Sequence, residues 1–200
     1  SLCIGLFAII TISNIVWADE RGRDGELKLL YWQAPSTMMP YLSGGTKDLE
    51  ASSIVLEPLA RYDNDGRMHP WLAEEIPTVE NRGISEDLKS ITWKIKNGIQ
   101  WSDGSALTAD DAVFTYEYCT HPESGCAQSN YFNDIVSVQA VDNHTIKINF
   151  SVAKPFPYSA FVGYNSPILQ KAQFQECMGV KAQECTKENF NPIGTGPYKV

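Results

Sequence analysis

Apolar and polar residues alternate from Ile91 to Lys96 (ITWKIK), which predicts a half-buried strand. Asn97-Gly98 turns the chain, and Ile99-Gln100-Trp101 is predicted to follow as a second short strand. After the Asp103-Gly104 turn, Thr108 is placed to cap a helix running to about Cys119, with Asp110 and Asp111 in its first turn, where the helix dipole favours carboxylates. Ile135 to Val141 and Thr145 to Phe150 predict a hairpin around Asp142-Asn143. Ile146, Ile148 and Phe150 point to one face of it, Lys147 and Asn149 to the other.

The flanks are less regular. Glu26 to Gln33 is rich in Leu and aromatics and predicts a first strand. A loop with two prolines and two glycines follows, and Lys47 to Ala60 is predicted as a helix, with Thr46 as its cap and Pro58 at its frayed end. Asp63-Asn64-Asp65-Gly66 is a turn, and Trp71 to Ile76 is apolar enough to be covered. Pro155 and Pro157 open a short aromatic helix or loop through Tyr158, Phe161 and Tyr164. Leu169 to Cys177 is predicted helical, Gly194-Thr195-Gly196-Pro197 breaks the chain, and Tyr198-Lys199-Val200 is predicted to begin a strand. The fold class is therefore mixed, α/β or α+β.

Leu2 to Ala18 carries no charge, yet its seventeen residues include Thr11, Ser13 and Asn14, which makes a poor membrane span. It ends Val16-Trp17-Ala18, a signal-peptidase pattern, so residues 1–18 are expected to be a signal peptide cleaved before Asp19. An uncleaved anchor helix is the alternative. The first basic residue is Arg21, so the charged start of such a signal is expected upstream of Ser1. Cys3 precedes the apolar run, whereas a lipidated cysteine follows it.

Export implies an oxidising compartment, periplasmic or otherwise outside the cytoplasm. Beyond Cys3 the chain has Cys119, Cys126, Cys177 and Cys185, which allow three pairings. The local bridges Cys119–Cys126 and Cys177–Cys185 are predicted, because each closes a short loop containing glycine. A metal site from Cys119, His121 and Cys126 is the weaker alternative, lacking a C-x2-C arm and an obvious fourth ligand.

At 43% hydrophobic and 20% charged residues, the chain has enough apolar surface for a core, which excludes disorder as the main reading. A net charge of −8 without a basic stripe argues against nucleic acid as a partner. No G-x-S-x-G elbow, H-E-x-x-H helix or Walker loop occurs, so no enzyme chemistry and no cofactor are expected. Asp103, Asp110 and Asp111 could suggest an acid cluster, but turn and cap roles account for them.

The run ITWKIKNGIQWSDGSALTADDAVFTYEY, Ile91 to Tyr118, resembles the signature of family 5 extracellular solute-binding proteins, the peptide- and nickel-type binding components of ABC importers. Three further segments resemble the family in order: Leu56-Glu57-Pro58-Leu59, Asp134 to Phe150, and Pro192-Ile193-Gly194-Thr195-Gly196-Pro197-Tyr198. The resemblance implies a type II periplasmic-binding-protein-like fold of two lobes around a ligand cleft, with residues 19–200 as an incomplete first lobe. In peptide-binding relatives the other lobe carries the carboxylate that pairs with the ligand's amino terminus. It also implies a monomer that captures a peptide or other small solute and delivers it to a membrane permease. A sugar or metal-chelate ligand, a sensory receptor domain and, less well supported, a secreted hydrolase are the alternatives.

A peptide cleft needs aromatic walls and a few orienting polar groups. Tyr31, Trp32 and Gln33 lead from the first expected strand into its loop, where core packing of the two aromatics is as good an account as ligand contact. Tyr131 resembles a position that contacts peptide in oligopeptide-binding relatives. Tyr164 and Asn165, followed by Ser166, have the composition of an exposed loop, which solvation explains as well as binding does.

Overall fold

The computed structural model describes residues 29–200. The expected signal peptide, Cys3, the Ala18/Asp19 cleavage site and the start of the first strand lie outside the described residues. The chain divides into two compact units, Ser1–Trp32 and Gln33–Val200. Of the first unit only Leu29 to Trp32 is described; it is not strand, and the rings of Tyr31 and Trp32 lie 6.2 Å apart. Gln33, which opens the second unit, is exposed and also not strand. Among the described residues no helix is long and apolar enough to cross a membrane.

The second unit is a mixed α/β arrangement. Strands β1 (Ala60–Tyr62) and β2 (Met68–Pro70) form a small antiparallel hairpin. Strands β3 (Ser90–Lys94), β4 (Ile135–Asp142) and β5 (Thr145–Phe150) form a three-stranded antiparallel sheet in the order β3-β5-β4. The register pairs Ile91 with Ile148 and Trp93 with Ile146. These four side chains are buried, while Lys94 is exposed, so the alternation in sequence becomes one dry and one wet face. β4 carries two irregularities, between Ile135 and Ser137 and between Ala140 and Asp142, and its outer residues Val136 and Val141 are exposed.

Helix α2 (Ala109–Thr120) buries Ala112, Phe114, Tyr118 and Cys119. Thr108 stands at its N-cap, and its backbone N–H donates to the Asp111 carboxylate at 2.9 Å. The same carboxylate accepts the Trp101 indole N–H at 3.3 Å and the Lys171 backbone N–H at 2.9 Å. Burial raises the Asp111 pKa above the usual carboxylate range, although these donors oppose it. The Asp103 carboxylate accepts from the Ser105 backbone and hydroxyl and from Gln170. Asp103 and Asp111 are thus engaged in a turn and a cap.

Several elements differ from the sequence expectation. Helix α1 is only Thr46–Ser52, with Gly45 at its N-cap, so Thr46 is inside the helix and does not cap it. The hydroxyls of Ser52 and Ser53 donate back to the carbonyls of Leu49 and Glu50, competing with the next helical turn. Pro58 then disfavours helical geometry at Glu57. Helix α3 is Lys171–Phe174 rather than Leu169 to Cys177: Gln170 is extended at its N-cap, and the N–H groups of Leu169 and Lys171 donate to Thr115 and Asp111 of α2. A last short helix, α4, spans Thr186–Phe190. Ile99 to Trp101 makes a single bridge, Gln100 to Ala106, and Tyr198 to Val200 is not strand.

Cys119 is bonded to Cys126 and Cys177 to Cys185, with Cα separations of 5.1 and 5.8 Å. Each bridge closes a short loop, so replacing Cys177 and Cys185 by serine is expected to lower stability by about 2 kcal/mol in chemical denaturation.

Candidate functional site

A cavity of about 520 Å³ opens where β1, the end of α1 and the segment Phe161 to Asn165 meet. It gathers four tyrosines, Tyr62, Tyr131, Tyr158 and Tyr164, together with Arg61 and Asn165. Glu50, Ser53, Val162 and Gly163 complete the lining.

The segment that presents Tyr164 and Asn165 is tightly held. Val162 bridges to Ala60, the Leu59 N–H donates to Phe161 O at 2.8 Å, and the Gly163 N–H donates to Ala60 O at 2.8 Å. Phe161 is fully buried with φ +60°, an unusual backbone for a non-glycine residue, and Gly163 follows at φ +77°. Ser166 Oγ accepts the Phe161 N–H at 2.9 Å. Nearby, the Tyr41 hydroxyl donates to Pro167 O at 2.6 Å. Its pKa is raised by burial.

Across the cavity the Asn165 amide donates to the Tyr131 hydroxyl at 2.6 Å, fixing the two side chains against each other. Among the described residues, Asn165 Oδ1 is buried with no partner. The Tyr158 hydroxyl donates to Pro77 O at 2.6 Å, and burial raises its pKa and that of Tyr62.

Arg61 is held from several sides. It donates from Nη2 to Ser53 O at 3.0 Å, and its guanidinium lies 4.4 Å from the centroid of the Trp71 ring, within cation–π range. Burial lowers its pKa, and the nearby Glu57 charge works in the opposite direction. Glu57 is in turn fixed by two donors, Trp71 Nε1 at 2.7 Å and Thr195 Oγ1 at 2.8 Å. Thus Glu57 of the Glu57-Pro58-Leu59 motif and Thr195 of the Gly194-Thr195-Gly196 motif meet behind the cavity wall.

Three of the residues singled out in the sequence, Tyr131, Tyr164 and Asn165, come together here. Tyr31 and Trp32 belong to the other unit and are 41% and 73% exposed. Sequence reasoning missed Arg61, Tyr62 and Tyr158. The signal for the first two was the Asn64-Asp65-Gly66 turn, whose flanking Ala60 to Tyr62 and Met68 to Pro70 form a hairpin. Among the described residues, Cys177, Cys185 and Glu188 are close enough together for a metal, but the two sulfurs are spent on a disulfide.

Residues 67–200 match the bacterial extracellular solute-binding proteins, family 5, in that family's middle region. Over 164 residues the chain is 26% identical to the glutathione-binding protein GsiB of Pectobacterium atrosepticum, a match covering 82% of this chain and 29% of that protein. Over 153 residues it is 29% identical to the nickel-binding periplasmic protein of Escherichia coli, covering 74% of this chain and 26% of that protein. The fold superposes on the oligopeptide-binding protein AppA from Bacillus subtilis, solved with a nonapeptide, with a TM-score of 0.71 at 23% identity over 83% of this chain and 32% of that one. The chain therefore spans under a third of the length of these proteins.

Proposed function

This chain belongs to the bacterial extracellular solute-binding proteins of family 5, and from that membership we propose that it forms part of the exported substrate-binding subunit of an ABC importer, with a peptide-like solute as its ligand. The cavity is one wall of the ligand cleft. The opposite wall comes from the part of the protein that its relatives have and these 200 residues do not span. Residues 1–18 act as the signal peptide, residues 19–200 form part of the first lobe, and the mature protein works outside the cytoplasm as a monomer that hands its solute to a membrane permease.

The observation that carries the peptide reading is the pairing of Tyr131 with Asn165 in a cavity walled by four tyrosines. Aromatic walls accept varied side chains, while a few fixed polar groups orient a backbone. The name of the glutathione-binding relative supports the same class, since glutathione is a tripeptide. Capture proceeds by lobe closure without covalent chemistry. The nickel-binding relative supports a second reading, a metal chelate held in the same cleft.

Tyr131→Ala in the full-length protein is expected to weaken peptide binding about tenfold in isothermal titration, because it removes both a wall and the partner of Asn165. Trp32→Ala tests separately whether that exposed ring contacts ligand. Unchanged affinity in Tyr131→Ala would remove this cavity as the ligand site.

A further inference from the structure

The guanidinium of Arg61 has more donors than the described residues use. Among the described residues it donates one hydrogen bond, from Nη2 to Ser53 O, and it makes no ion pair with Glu57. Its Nε is buried with no acceptor among the described residues. The donors left for a ligand are those of the outer Nη edge, on a side chain that lines the cavity.

That edge is held in place before any ligand arrives. Trp71 covers one face of the guanidinium, and Trp71 is pinned by Glu57, which Thr195 also engages. Ser53 O fixes the rotation of the plane. A rigid, partly buried fork with spare N–H groups suits a planar acceptor with two oxygens. Tyr62 and Tyr164 of the same lining place aromatic surface beside such a contact. Glu57, whose charge acts on Arg61, is held on both oxygens by Trp71 and Thr195 and does not line the cavity.

We infer that Arg61 is the carboxylate-recognition residue of this cavity, and that the solute is a peptide-like acid whose carboxylate docks on the outer Nη edge of Arg61 among the tyrosines. The inference rests on the peptide reading above and narrows it to solutes that keep a free carboxylate. Glu50 also lines the cavity, so the comparison below keeps the solute's amino group constant and changes only its acid.

The test uses the full-length protein freed of ligand and two pools of tripeptides of the form Ala-Xaa-Ala, one with free carboxyl termini and one with carboxyl-terminal amides. Retention is read by mass spectrometry. The wild-type protein is expected to retain the acids at least about tenfold better than the amides. Arg61→Gln is expected to erase that preference. Arg61→Lys keeps the charge without the fork and is expected to recover only part of it. Equal retention of acids and amides by the wild type would overturn the inference while leaving the peptide reading standing. So would a preference that persists in both variants. Retention of neither pool would overturn both. The comparison of acid with amide on the wild type tests the carboxylate requirement by itself, and either variant that folds tests its assignment to Arg61.

Discussion

Alanine at position 194 is expected to destabilise the protein by about 3 kcal/mol, an overpacking cost at the upper end of its range. A Cβ there would collide with the carbonyl oxygen of Val55. The neighbouring backbone gives it no room to withdraw. The Gly194 carbonyl accepts the Ser102 N–H at 2.8 Å, and the Gly196 N–H donates to the same Val55 oxygen at 2.9 Å. A Cβ on Gly196 would itself approach Ile54 O and Val55 O at 2.7 Å. The glycines of this motif are therefore needed for close backbone contact with the chain just after α1. Chemical denaturation of Gly194→Ala against Gly44→Ala checks this, because a Cβ at Gly44 meets nothing within 4 Å. Equal stabilities of the two variants would contradict the close-contact account.

Glu57→Ala is expected to cost a similar amount, about 3 kcal/mol, for a different reason. The side chain is only 7% exposed, and each carboxylate oxygen accepts one hydrogen bond. Its removal leaves the Trp71 indole N–H and the Thr195 hydroxyl without their acceptor. It also takes away the charge that favours the ionised form of Arg61. Glu57→Gln keeps one acceptor oxygen and is expected to cost about half as much. Because Trp71 positions the Arg61 plane, Glu57→Gln is also expected to weaken acid retention in the tripeptide assay. Wild-type stability in Glu57→Ala would show that the network behind the cavity is dispensable.

The sheet and α2 were legible in the sequence because local pattern and tertiary packing agree there. Ile91, Trp93, Ile146 and Ile148 alternate with polar residues and bury one face, and Thr108 with Asp111 marks the start of the helix. The segments from Lys47 to Ala60 and from Leu169 to Cys177 misled for one reason. Their helical spacing is real, but neighbouring contacts cut both helices short: serine hydroxyls take the Leu49 and Glu50 carbonyls at the end of α1, and Thr115 and Asp111 hold the approach to α3 where Gln170 is extended. β1 is hidden in the sequence because Ala60 falls inside that expected helix.

At the candidate site, composition pointed to Tyr131, Tyr164 and Asn165 but not to what surrounds them. Arg61 and Tyr62 sit on a three-residue strand too short to show a period. Tyr158 lies between turns after two prolines. The strained bend at Phe161 that aims Asn165 toward Tyr131 has no local sequence signal, since phenylalanine is an unusual residue at positive φ. The contact of Glu57 with Thr195 joins residues 138 positions apart. Both motifs are visible in the sequence, and their meeting is not.

The cavity is proposed as one wall of a cleft that holds a peptide-like solute. Native mass spectrometry of the full-length protein, purified without ligand exchange, tests it most directly. Bound species are expected whose fragmentation yields short peptides with free carboxyl termini, diminished in Tyr131→Ala. Bound sugar, or a peptide load unchanged in Tyr131→Ala, would contradict it.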